Sequence, residues 1–208
     1  MYNPSHFEET RTDVMHELMR QYPLATVIAS TAAGLVADHI PLQVVMTDEK
    51  KGKLIGHVAR ANPLWQIDPE TELLIVFQGA QCYISPNWYA SKPSSGGKVV
   101  PTWNYAVVHV RGKLRALHEA HEILPILNAL TQRHESSQAH PWSVNDAPPD
   151  YIEKLLGAIV GFEIDITHMQ GKWKVSQNRL EQDRASTSAA LMQLADTNAR
   201  VMAKLIPD

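Results

Sequence analysis

Between residues 106 and 116 the chain alternates: Ala106, Val108, Val110, Leu114 and Ala116 fall on one side, and His109, Arg111, Lys113 and Arg115 on the other. A two-residue period is the mark of a strand with one buried face, because successive side chains leave a pleated backbone in opposite directions. The same period returns in Val160, Phe162, Ile164 and Ile166. Further apolar, β-branched runs lie at Leu24 to Ser30, Leu35 to Thr47, Leu54 to Val58, Leu73 to Phe77 and Gln81 to Ser85. These make about six or seven strands, mostly joined by short turns, with helical patterns only at the start, at one crossover and at the end. A doubly wound parallel sheet needs a helix between every pair of strands, so the spacing predicts a mainly β chain, an antiparallel barrel with peripheral and C-terminal helices. With 208 residues, 44% of them hydrophobic, a sizeable core is within reach.

Local signals refine this outline. Ser5-His-Phe-Glu8 fits a capping box, predicting an opening amphipathic helix that carries Phe7, Val14, Met15, Leu18 and Met19 and stops at Tyr22-Pro23. Ala33-Gly34 predicts a hairpin turn, and Asp48 to Gly52 another. Pro41, inside a strand-like run, predicts an edge, a bulge or a place where the strand faces a ligand, since proline cannot donate to a central ladder. Pro125 is expected in the first turn of its helix. The stretch from Ser85 to Pro101, rich in turn formers, predicts a long loop.

Several classes of function are poorly supported. The net charge of −3 offers no basic excess for nucleic acid or an anionic membrane, and no stretch gives a helix-turn-helix. No run of about 18 apolar residues is present, nor a secretory signal at Met1, so a cytoplasmic protein is expected. The single cysteine, Cys82, precludes an internal disulfide and reads as a packed small hydrophobe. His118-Glu-Ala-His121 places its second histidine one position early for the zinc-protease spacing, so no metal site is assigned.

Two stretches do carry chemistry. In Leu54 to Trp65 an apolar strand ends at a polar corner where Asn62 suits a helix N-cap and Pro63 the first helical position. Helix N-termini attract anions, and Arg60 with His57 stands beside this one, so the corner is either a plain cap or a phosphate site. Trp88, Tyr89, Trp103, Asn104 and Tyr105 combine aromatic faces with amides, which suits a flat heteroaromatic ligand; the alternative is that they plug strand ends.

Six ordered motifs carry a resemblance: Met1-Tyr-x-Pro-x-His-Phe7, His39-Ile-Pro-Leu42, Gly56-His-Val-Ala-Arg-Ala-Asn-Pro63, Tyr83-Ile-Ser-Pro-x-Trp-Tyr89, Val100-Pro-Thr-Trp-Asn-Tyr105 and Lys172-x-Lys-x-Ser-Gln-Asn-Arg179. Together they resemble the PaiB-type family of FMN-binding negative transcriptional regulators, from Met1 to about Arg179; the Gly79-Ala-Gln-Cys82 corner departs from the Gly-Pro-x-Ala form expected there. The resemblance implies a split β-barrel like that of pyridoxamine-phosphate oxidases over 1–179, with 180–208 a helical tail packed on the barrel or on a dimer partner. It implies a homodimer with FMN at the interface. Arg60 and Asn62, with the amides around Ala61, would hold the phosphate, and His57 and Val58 lead into that corner. His39, Ile40, Pro41 and Leu42 would lie along the isoalloxazine, with Trp103, Asn104 and Gln177 closing the ring and ribityl side from the second subunit. The alternatives are a flavin-dependent reductase or oxidase of small molecules, with His39 the candidate group near the ring, and a haem-binding split barrel. No catalytic residue is assigned. The only candidate DNA footprint is the strand face of Arg111, Lys113 and Arg115, so direct operator binding has poor support.

Overall fold

The computed structural model describes residues 1–47 and 51–208. The turn expected over 48–52 therefore lies largely outside the described residues. Those residues form eight strands: β1 (Glu8–Glu9), β2 (Leu24–Thr31), β3 (Gly34–Pro41), β4 (Gln43–Val45), β5 (Lys53–Ala59), β6 (Glu72–Ile84), β7 (Thr102–Leu117) and β8 (Ile159–Lys174). Five α-helices accompany them: α1 (Thr12–Gln21), α2 (Ala120–Glu135), α3 (Pro149–Gly157), α4 (Glu181–Met192) and α5 (Thr197–Leu205). Hydrogen bonding orders the strands β3-β2-β6-β7-β8-β5-β4, with β1 beside β8, and among the described residues no pairing closes the sheet. The pairings β1–β8, β2–β3, β2–β6, β4–β5 and β5–β8 are antiparallel, as the turn spacing predicted.

Several boundaries differ from the sequence expectations. Ser5–Phe7 is a single 3-10 turn, because Glu8 and Glu9 pair with Lys172 and Gly171, and the helix starts only at Thr12. The two strands expected either side of Gly79 are one, β6: a Cβ at Gly79 would stand 2.9 Å from Leu18 and 3.0 Å from the Ala106 carbonyl. The glycine permits close packing there and makes no corner. The run from Leu35 to Thr47 breaks at Leu42 into β3 and β4. Pro125 lies beyond the first turn of α2, which begins at Ala120.

Contacts divide the chain into two units, and β6, β7 and β8 each contribute to both. The first comprises residues 1–21, 78–109 and 170–208. In it Leu191, Ala199, Met202 and Ala203 bury the facing sides of α4 and α5. Asp183 of α4 accepts from the Ser91 amide at 2.8 Å and its hydroxyl at 2.7 Å, which anchors the long 85–101 loop to the C-terminal helices.

The second unit comprises residues 22–77 and 110–169. Because strand side chains alternate, β5 sends Leu54 and Val58 to the face occupied by Phe162, and Ile55 to the opposite face. There Ile55 packs with Leu117, Ile123, Ile126, Leu130 and Leu156, the layer made by α2 and α3. On β7 the basic face is neutralised: Arg111 meets Glu72 at 3.4 Å, Lys113 meets Glu70, and Arg115 meets Glu163 at 2.9 Å.

Candidate functional site

The corner after β5 is built differently from the expected helix N-terminus. Pro63–Gln66 is one 3-10 turn of four residues. Asn62 caps it, accepting from the Leu64 amide at 2.8 Å, while the Arg60 and Asn62 amides donate to the carbonyls of Ala158 and Ala59. With those donors committed and no extended helix behind them, a helix dipole contributes little here. The Arg60 guanidinium is what remains for an anion. Its Nε donates to the Gly157 carbonyl at 2.7 Å and its Nη2 to that of Ile159 at 2.8 Å. A guanidinium carries five N–H groups, so two hold the side chain in place and three stay available on an exposed residue. Ala61 is also exposed.

Asn62 joins this corner to the other expected stretch. Its Nδ2 donates to Asp38 Oδ1 at 2.9 Å, so the Arg60–Asn62 corner and the His39–Leu42 stretch meet within the second unit. Asp38 carries no signal of its own in the sequence, because its role as the link depends on a partner 24 positions away. Strand β3 stands at one end of the sheet order, which is where its Pro41 can be tolerated, paired with Leu24. His39 is exposed, its Nδ1 3.2 Å from the Thr26 hydroxyl, and Ile40 and Leu42 are buried, with the Leu42 amide donating to the Pro23 carbonyl.

His57 faces the same side of β5 as Ile55, the side of the α2–α3 layer, and Val58 is buried on the other. Among the described residues the buried His57 Nδ1 has no partner, and burial pushes the imidazole below its ordinary pKa. Between that lowered value and the unfolded value near 6.5, the unfolded chain takes up a proton that the folded site resists. This contribution to stability is complete above about pH 6.5, is lost as pH falls through the window, and is flat below it. His57→Leu should therefore give a shallower acid-side loss of stability in urea unfolding across this range. Parallel pH profiles for the two proteins would refute the assignment.

Trp103, Asn104 and Gln177 belong to the first unit. Asn104 is buried and donates to the Ser176 hydroxyl at 2.9 Å, and Gln177 accepts from the Val175 amide at 2.8 Å. Trp103 is exposed and meets Tyr83 edge-on, ring centroids 6.3 Å apart. With Trp88, Leu194 and Asp196 these two rings line an open pocket of about 480 Å³. Trp103 thus borders open space and does not plug a strand end. Cys82 lines the same pocket but is buried, and burial together with Asp196 pushes its thiol up to about 11, so it is poorly suited to act as a nucleophile. His118 packs edge-on against Trp65 at 5.3 Å.

The open antiparallel sheet with helices at its margins is a fold shared with known flavin proteins. It matches the FAD and heme binding protein from Mycobacterium smegmatis with a TM-score of 0.58 at 16% identity, over 86% of this chain and 79% of that one. It also matches the flavocytochrome Anf3 from Azotobacter vinelandii with a TM-score of 0.56 at 12% identity, over 86% and 75%. At such identities the likeness concerns the fold. Residues 1–168 match the model of a family described as "Putative FMN-binding domain". Over its whole length the chain is 32% identical to the protease synthase and sporulation protein PAI 2 of Bacillus subtilis (strain 168), covering 97% of that protein. The chain belongs to this FMN-binding, PaiB-type family, its fold is the split barrel, and its cofactor is FMN.

Proposed function

We propose that this protein is a cytoplasmic homodimer that holds FMN at its subunit interface and serves as a PaiB-type regulator. FMN supplies reversible redox chemistry when bound. The observation that carries the reading is the Asn62–Asp38 bond, which brings an anchored Arg60 with spare donors next to the edge strand of His39 and Pro41. In this reading Arg60 grips the phosphate and Asn62 holds the corner. His39 to Leu42 form the wall beside the isoalloxazine, and Trp103, Asn104 and Gln177 act on the ring and ribityl side from the partner subunit. The dimer reading draws on exposed apolar residues at the edge hairpin: Leu24 is 62%, Leu35 78% and Val36 38% exposed. An uncovered apolar edge strand invites pairing, and a second copy would cover it.

Regulation in this proposal does not run through operator contact, since the basic face of β7 is matched by Glu70, Glu72 and Glu163. Sequence-specific retardation of DNA at moderate salt would overturn that part. For the cofactor, the purified protein is expected to show a flavin absorption spectrum and to release FMN on acid treatment, identified by chromatography. A Soret-type band in place of flavin, or no uptake of added FMN, would overturn the reading.

A further inference from the structure

Some cations are matched by carboxylates, Arg11 by Glu9, Lys53 by Glu163 and Asp165, and the β7 face by Glu70, Glu72, Glu122 and Glu163, whereas others, such as Arg60, Lys92 and Arg200, hold carbonyl or amide oxygens. The end of β8 gathers three cations of the second kind, held by carbonyls, a hydroxyl and aromatic rings. Lys172 and Lys174 are two residues apart on one strand, so their side chains leave the same face. Lys172 is only 6% exposed. Its Nζ donates to the Tyr2 carbonyl at 3.0 Å and lies 5.6 and 5.4 Å from the ring centres of Tyr2 and Tyr105. Lys174 Nζ donates to the Thr102 hydroxyl and, at 2.6 Å, to the Trp103 carbonyl. Arg179 lies over the Tyr89 ring at 4.8 Å. Among the described residues none of the three has a carboxylate within ion-pair distance.

Ser176, which lies in sequence between Lys174 and Arg179, is buried and has φ +66°, a left-handed conformation uncommon for a non-glycine residue. Asn104, 1% exposed, holds the Ser176 hydroxyl, and Gln177 closes the turn onto the Val175 amide. Burial, then the charges of Lys172 and Arg179, push Lys174 below its ordinary pKa. Glu8 stands opposite Lys172 in the β1–β8 pair but makes no ion pair with it, so the three like charges repel one another and a bound anion would offset that cost.

We propose that Lys172, Lys174 and Arg179 form an oxyanion-binding site for the phosphate or carboxylate group of a small-molecule ligand. This site lies wholly within the first unit and goes beyond the assignment of FMN phosphate to Arg60. Two sources share the chemistry, the phosphate of FMN itself and a separate anionic ligand.

The test uses the purified full-length protein with inorganic phosphate as probe, against chloride at equal ionic strength, together with titrations of FMN and of riboflavin. Phosphate should raise the melting temperature of the wild type, and Lys174→Gln and Arg179→Gln should each weaken the anion interaction at least about tenfold, as expected for loss of one charge-assisted hydrogen bond. Lys174→Arg, which keeps the charge, should retain most of it and controls for folding. If the variants lose phosphate binding with FMN affinity unchanged, the site takes a separate ligand. If they lose affinity for FMN and not for riboflavin, the site takes the flavin's phosphate. Phosphate stabilisation and flavin affinities unchanged in both glutamine variants, or no phosphate effect on any form with FMN and riboflavin bound alike, would overturn the proposal. A protein that binds no flavin at all would sink the FMN assignment alone, since the phosphate measurement is independent of it.

Discussion

Phe162→Ala is expected to lower the unfolding free energy by about 3–5 kcal/mol, the range for removing a fully buried aromatic ring. Phe162 has no exposed surface and stands opposite Gly56 in the β5–β8 ladder. A Cβ on Gly56 would lie 3.0 Å from the ring and 2.7 Å from Leu42 Cδ2, so the missing side chain is what lets both fit. Gly56→Ala alone should cost about 1–3 kcal/mol through overpacking. In the Phe162→Ala background the added methyl would enter the space the ring left, and its cost should shrink or change sign. Urea midpoints for the four proteins at constant slope would measure this coupling, and strictly additive losses would show that the ring and the glycine are not packed together. The consequence reaches the site, because Leu42 ends the stretch proposed to flank the flavin.

What was legible in the sequence was mostly local. The alternations at 106–116 and 160–166 gave β7 and β8 because each strand buries one face. The further eight residues of β8, to Lys174, lacked a clean apolar period, and part of what extends them is pairing with Glu8 and Glu9 at the other end of the chain. The same pairing displaced the start of α1 from its apparent capping box. Gly79 read as a corner because glycine marks turns, whereas the close approach of Leu18 and the Ala106 carbonyl is visible only in three dimensions. At the site, Arg60 and Asn62 were recognisable from the strand–Asn–Pro pattern. Their partners were not: Gly157 and Ile159 lie 97 and 99 positions away. The expectation that a helix terminus would supply the anion site rested on Asn62-Pro63 opening a regular helix. The turn ends after four residues, and the burden moves to the guanidinium.

Arg60→Ala is expected to weaken FMN binding by about 1.5–3 kcal/mol, the range for a hydrogen bond to a charged group, and so by roughly ten- to 150-fold. Riboflavin, which lacks the phosphate, should bind the variant and the wild type alike. Arg60→Lys should fall between them for a geometric reason: a lysine has one ammonium on a flexible stem and cannot hold the Gly157 and Ile159 carbonyls while presenting further donors in a fixed plane. Loss of those two bonds also loosens the junction between α3 and β8, so titrations belong well below the melting temperature of each variant. Equal losses for FMN and riboflavin would mean that Arg60 acts only through that junction. Unchanged FMN affinity, with a loss instead in Lys174→Gln, would transfer the phosphate to the cationic cluster at the end of β8. The same pair of flavins, titrated into both variants, therefore decides which of two cationic sites grips the cofactor.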